Sequence, residues 1–127
     1  MANFDQIHAS DRCRAVGAVL ARVGDKWTVL VILFLKDGPK RFSELKRSIG
    51  SISQRMLTLT LRGLERDGLV SRVVTPSNPP RVDYALTELG HSLRQPVEAL
   101  GIWALDHLER IEIARQVFDR QHVATRG

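Results

Sequence analysis

At Gly68 the hydrophobic pattern of this chain changes period. Up to that point, "SISQRMLTLTLRGLERDG" (51–68) places most of its apolar residues on one face of a helix. Beyond it, "LVSRVV" and "RVDYAL" read as strands, with Val82, Tyr84 and Leu86 alternating in the second. The connector "TPSNPP" is too rich in proline for a tight two-residue turn, and Pro79-Pro80 stiffens it. A long, protruding β-loop is predicted. A helix that runs straight into a lone hairpin confines the chain to a mainly α fold with a small β-hairpin.

The other elements are helical. Val16, Val19, Leu20 and Val23 recur at helical spacing and predict a first helix over about Asp11 to Val23. In "GDKWTVLVILFLKDGP" the Val/Ile-rich run has the propensity of a strand. Its length and the Gly38-Pro39 stop suit a buried helix, with Gly38 as the left-handed residue past its end. "RFSELKRSIG" predicts a short helix with Ser43 as N-cap and Gly50 as its end. Ser51 and Gln54 have capping-box spacing for the next helix, and Ser53 is the other candidate cap. Thr87 is positioned to cap a helix to about Gln95, Pro96 interrupts, and a long helix follows to about Arg120. On it Val97, Leu100, Ala104, Leu108, Ile111 and Phe118 form a stripe flanked by Ile102, Trp103 and Leu105. That face is broad for a small domain to cover alone, and a partner is its natural cover.

With 127 residues the chain has the size of a single domain, 1–127. Its net charge is +5, and the excess is clustered: Lys36 to Arg81 hold ten Lys and Arg against four Asp and Glu, the remainder nine against ten. A clustered surplus steers a polyanion, whereas a scattered one only keeps a protein soluble. The longest apolar run, Trp27 to Leu35, falls far short of the ~20 residues of a membrane span, and the start lacks a secretory signal. A single cysteine, Cys13, excludes an internal disulfide and suits a reducing cytoplasm. The four histidines, His8, His91, His107 and His122, lack metal-ligand spacing, and no Gly-rich phosphate loop is present. No enzyme activity, metal or cofactor is expected.

Two helices joined by a short Gly-containing turn, the second basic, make a helix-turn-helix, and a hairpin directly after makes it the winged variety. At about 100° per residue, Leu57, Leu61 and Leu64 of the second helix face the core. Arg55, Leu59, Arg62 and Arg66 fall opposite, with Thr58 at their margin. Arginine grips the O6/N7 edge of guanine, threonine bonds a base or phosphate, and an apolar side chain touches the thymine methyl. Leu59 is then a methyl reader among charged grips; the alternative is that it packs on a neighbouring element or is exposed without consequence.

The stretch from "DKWTVLVILFLKDGPKRF" through "SISQRMLTLTLRGLERDGLV" to "PPRVDYALTELG" resembles the HxlR-type winged helix-turn-helix regulators, relatives of the MarR group. The family pattern falls at Cys13, Lys26-Trp27, Gly38 to Leu45, Ile52 to Leu57, Leu61 to Leu69, Pro79 to Gly90 and Trp103. It covers about residues 13 to 107, and its motifs are specific in combination. The resemblance implies a homodimeric transcription factor for double-stranded DNA, dimerising through helices at about 11–23 and 97–120, with residues 43–86 as DNA-binding core and wing. Ser43, Ser53, Gln54, Arg55, Thr58, Leu59, Arg62 and Arg66 become candidate DNA contacts, and Arg81 the wing's minor-groove or phosphate contact. Three positions depart from the family: Arg14 where proline is usual, Asp25 where glycine is common, and Leu59 where a polar residue is frequent.

Two questions stay open at this stage. A winged helix can also serve as a protein-interaction module without nucleic acid. Cys13, in "DRCRAV" at a helix start beside Arg12 and Arg14 and opposed by Asp11, is either a thiol that senses oxidants or electrophiles or a small packing residue.

Overall fold

A computed structural model describes residues 11–126. In chain order these are α1 (Asp11–Val23), α2 (Lys26–Leu35), α3 (Phe42–Ile49), α4 (Gln54–Arg66), β1 (Val70–Thr75), β2 (Arg81–Leu86) and α5 (Glu88–Arg126). The apolar run at 27–35 is helical, and it is the element around which the others assemble. α2 packs against α1, α3, α4 and β2. Its Val31, Ile32 and Leu35 are fully buried, as are Leu45 of α3 and Leu57, Leu61 and Leu64 of α4. Asp25, the departure from the family's glycine, starts α2 as its N-cap and accepts from Trp27 N (3.1 Å) and Thr28 N (3.2 Å).

One of these boundaries differs from the predictions, and another is decided between two candidates. Ser43 does not cap α3: the cap position is Arg41, whose N–H donates to Glu44 Oε1 at 3.0 Å, and Ser43 is an exposed residue of the first turn. The reach-back of Glu44 starts the helix earlier. At the start of α4, Ser53 rather than Ser51 is the cap, its Oγ accepting from Met56 N at 3.0 Å. Ile52 is buried, so the chain stays extended until its side chain is seated; with Leu57, also buried, it occupies the positions of a hydrophobic staple. Gly50, in the turn between α3 and α4, has φ 76°, a conformation in which a Cβ is strained. Lys36 caps α2 in a right-handed conformation, and Gly38, two residues further on, has the positive φ (147°) expected past the helix end and donates its N–H to Leu35 O at 3.2 Å.

β1 and β2 pair antiparallel from Val70↔Leu86 to Thr75↔Arg81, leaving 76–80 as the projecting loop. A backbone bridge between Lys40 and Tyr84, 2.9 Å in each direction, moors β2 to the helical body. The base of the hairpin is pinned by Thr87. Its N–H donates to Leu69 O (3.1 Å), its Oγ1 donates to Gly68 O (2.6 Å), and Oγ1 accepts from Gly90 N (3.1 Å) as the cap of α5. Pro96 does not interrupt the last helix, which is continuous from Glu88 to Arg126. A proline inside a helix removes one backbone donor, and the bonds on either side remain.

The chain divides into two compact units after Arg94. In the first, α1 has no fully buried residue, and Val19 and Leu20 are exposed. In the second, Leu100, Ile102, Trp103, Leu105, Leu108, Ile113 and Phe118 are exposed. Within the first unit, Arg22 ties α1 to α4 by donating Nε to Asp67 Oδ2 at 3.0 Å. Its guanidinium lies so close to Gly63 that a Cβ there would collide with it.

Gly90 has the least room for a side chain among the described glycines, because a Cβ there would run into the carbonyl of Leu69, backbone that cannot swing away. Gly90→Ala is expected to destabilise by about 1–3 kcal/mol through overpacking despite the better helix propensity of alanine. A lowered thermal midpoint checks this; an unchanged or raised one would mean that α5 shifts freely at its first turn.

Candidate nucleic-acid interface

The inward side of α4 determines what its outward side shows. Leu57, Thr60, Leu61, Gly63 and Leu64 are buried, so Gln54, Arg55, Thr58, Leu59, Arg62 and Arg66 are all left exposed. Leu59 is 49% exposed, which is compatible with a methyl reader and with a residue exposed without consequence. Ser53 sits at the N-terminus of the same helix with its Oγ engaged as a cap, its own proton still free to donate. Thr58 is less free than its position suggested. Its Oγ1 donates to Gln54 O at 2.9 Å, so towards a ligand it offers only an acceptor. Ser43 is exposed on α3.

Arg81 is the first residue of β2, paired with Thr75 where the strands leave for the projecting loop. Its Nε donates to Asp83 Oδ2 at 3.0 Å, with the arginine side chain 52% exposed. The ion pair holds the guanidinium along the strand, and any phosphate there competes with Asp83 for it. Cys13 is in the first turn of α1 and half-buried.

A polar cleft between α4 and the hairpin brings together Thr58, Arg62 and Glu65 from the helix with Arg72 of β1 and Tyr84 of β2. Thr58, Arg62 and Glu65 recur at helical spacing along one flank of α4. Arg72 and Tyr84 are cross-strand partners and therefore share a face of the hairpin. Neither Arg72 nor Tyr84 is picked out by sequence reasoning. Their only signal is the alternation in "RVDYAL" together with a register that a five-residue loop leaves undetermined.

Among the described residues no cluster of His, Cys, Asp and Glu could hold a metal ion. No helix among them is long and apolar enough to cross a membrane. The Nδ1–H groups of His107 and His122 donate to the carbonyls of Trp103 and Phe118 (2.8 and 2.9 Å), and the imidazoles stack on those residues' rings, each turned back onto its own helix.

A helix-turn-helix whose second helix exposes arginines, followed directly by a hairpin, is a winged helix-turn-helix, the fold of a class of transcriptional regulators. The chain belongs to the family described as HxlR-like helix-turn-helix, whose profile matches residues 22–112. It is similar to an HTH-type transcriptional regulator of Methanothermobacter thermautotrophicus, 51% identical over 70% of this chain and 68% of that one. Among solved structures it is similar to the transcriptional regulator ytfH from Salmonella typhimurium, with a TM-score of 0.73 and 40% identity over 80% of this chain and 90% of that one. It is also similar to the redox regulator HypR in its oxidized form, with a TM-score of 0.67 and 43% identity over 72% and 95% of the two chains.

The cap of α4 gives a local test. Ser53→Ala removes the acceptor for Met56 N and is expected to cost about 1 kcal/mol of stability. Ser43→Ala, at a position that caps nothing, should cost at most a few tenths. Paired thermal melts check the contrast; equal losses would return Ser43 to the cap.

Proposed function

We propose that the protein is a sequence-specific DNA-binding transcriptional repressor that acts in the cytoplasm, as a homodimer on a pseudo-palindromic operator. The observation that carries this reading is the outward face of α4, where Arg55, Leu59, Arg62 and Arg66 are exposed together beside the hairpin. α4 would lie in the major groove, with Arg55 and Leu59 reading base edges and Gln54, Ser53, Thr58 and Arg66 at the margins. Ser43 of α3 would meet the backbone and Arg81 the neighbouring minor groove or its phosphates. A protein-interaction module has no use for a row of unpaired arginines in line with a basic wing.

Dimerisation is supported by the uncovered apolar side chains on α1 and along α5, since a monomer in water would leave them wet. The whole chain, 1–127, would then act as one functional domain, with 43–86 as DNA-binding core and wing and about 11–23 and 97–120 as the dimerisation helices. Two equivalent α4 helices related by a two-fold meet successive major grooves, which puts half-sites ~10 bp apart or a multiple of that. Selection of bound duplexes from random sequence, with light scattering on the free protein, tests the reading. The expected result is a dimer, an inverted repeat, and affinity that falls steeply with salt. A monomer, or binding indifferent to salt, would sink it. Against the selected operator, Arg55→Ala is expected to lose about 1–3 kcal/mol and to relax preference at one position per half-site. Arg81→Ala should weaken all duplexes alike. Identical profiles for the two variants would contradict the division of roles.

We further propose that Cys13 makes this regulator responsive to oxidants or electrophiles. The thiol is half-buried in α1, the helix assigned to the dimer, and the similarity to a redox regulator supports the assignment. With one cysteine per chain, two thiols can give up two electrons and two protons to diamide and form a disulfide between subunits, or one thiolate can add to a quinone. Diamide or quinone treatment is expected to change operator affinity in the wild type and leave Cys13→Ser unaffected. Equal responses would reduce Cys13 to a packing residue.

A further inference from the structure

We infer that the cleft between α4 and the hairpin is a seat for one backbone phosphate of the DNA, with Arg62 and Arg72 as its cationic jaws and Tyr84 as a hydroxyl donor. The inference rests on the proposed DNA binding and adds to it a site whose two hairpin residues, Arg72 and Tyr84, come from outside the reading helix. The cleft is lined by Thr58, Arg62, Glu65, Arg72 and Tyr84. Among the described residues neither Arg62 nor Arg72 is in a salt bridge, in contrast to Arg22 and Arg81, which hold Asp67 and Asp83. Two unneutralised guanidiniums facing one polar cleft call for an anion. Glu65 subtracts one charge and leaves the cleft net positive.

The geometry of a duplex says which anion. Its major and minor grooves are separated by a sugar-phosphate strand. A protein that puts a helix into one groove and a hairpin against the next must let that strand pass between them. The cleft lies between α4 and the hairpin, which is where that strand would have to pass. Guanidinium N–H groups donate to the non-bridging phosphate oxygens, and the Tyr84 hydroxyl can add a donor. Thr58 cannot, because its proton is committed to Gln54 O. Arg62 accordingly moves from base reading to backbone grip. It lies on the outward face beside Arg55, with Thr58 and Glu65 on its other side, and it is the arginine of that face that lines the cleft. A contact of this kind fixes the register of α4 on the duplex and carries no sequence information of its own.

The test uses the full-length dimer, its selected operator and a mixed-sequence duplex, with dissociation constants measured across a salt series. Arg72→Ala is expected to weaken both duplexes by the same factor. It should also flatten the log–log salt slope by about 1.8, one phosphate per subunit at about 0.9 each. Arg72→Lys should keep most of the slope, which a merely structural arginine would not require. Tyr84→Phe should weaken both duplexes about two- to tenfold, and Glu65→Gln should tighten both. If the wild type binds neither duplex, the DNA-binding reading falls and the seat with it. If the wild type binds with a normal slope and Arg72→Ala leaves slope and affinity unchanged, the seat alone is refuted. A loss confined to one base position of the operator would equally refute it, because the residue would then read bases.

Discussion

Leu57, Leu61 and Leu64 seat one side of α4 in the core that α2 builds with Val31, Ile32 and Leu35. A helix has no independent choice of outward face once its inward face is buried, so this packing aims every candidate contact on α4. Both ends of the helix are held as well. Ile52 and the Ser53 cap fix where it begins. Near its end the Arg22–Asp67 pair, with the guanidinium laid over Gly63, ties it to α1. The partly exposed pair adds little to stability by itself. Its consequence is geometric, because α1 and α4 cannot part without breaking it.

The hairpin depends on the same body through two attachments. Lys40 bridges to Tyr84, and Thr87 joins the loop before β1 to the first turn of α5 through three hydrogen bonds. A two-stranded hairpin is marginal in water without such support. The attachments therefore give the cleft between α4 and the hairpin a defined width, and they set Arg72 across from Arg62.

The regions outside this body have another character. α1 lacks a fully buried residue, and the exposed apolar side chains of α5 continue to Val123. Burying one large apolar side chain contributes about 1.5–3 kcal/mol, so covering these side chains would stabilise an assembly. That is the physical content of the proposed dimer, and it explains why a chain of this size spends so much of its length on helices that add little to its own core.

Element types were legible in the sequence because they follow from local periodicity and from Gly and Pro punctuation. The switch of period at Gly68, the buried helix at 27–35 and the hairpin loop at 76–80 needed no long-range information. So did the division of α4 into a leucine face and an arginine face, since a wheel computed from the sequence already has them apart. Cap positions were less legible, because they turn on which neighbour becomes buried or reaches back. Ile52 decided the cap of α4 between Ser51 and Ser53, and Glu44 moved that of α3 from Ser43 to Arg41. Pro96 read as a break, yet the helix continues through it. The cleft was not legible at all. It joins Arg62 to Arg72 and Tyr84 through a strand register and a helix–hairpin spacing, and both are set by contacts between residues far apart in the chain, which no local pattern encodes.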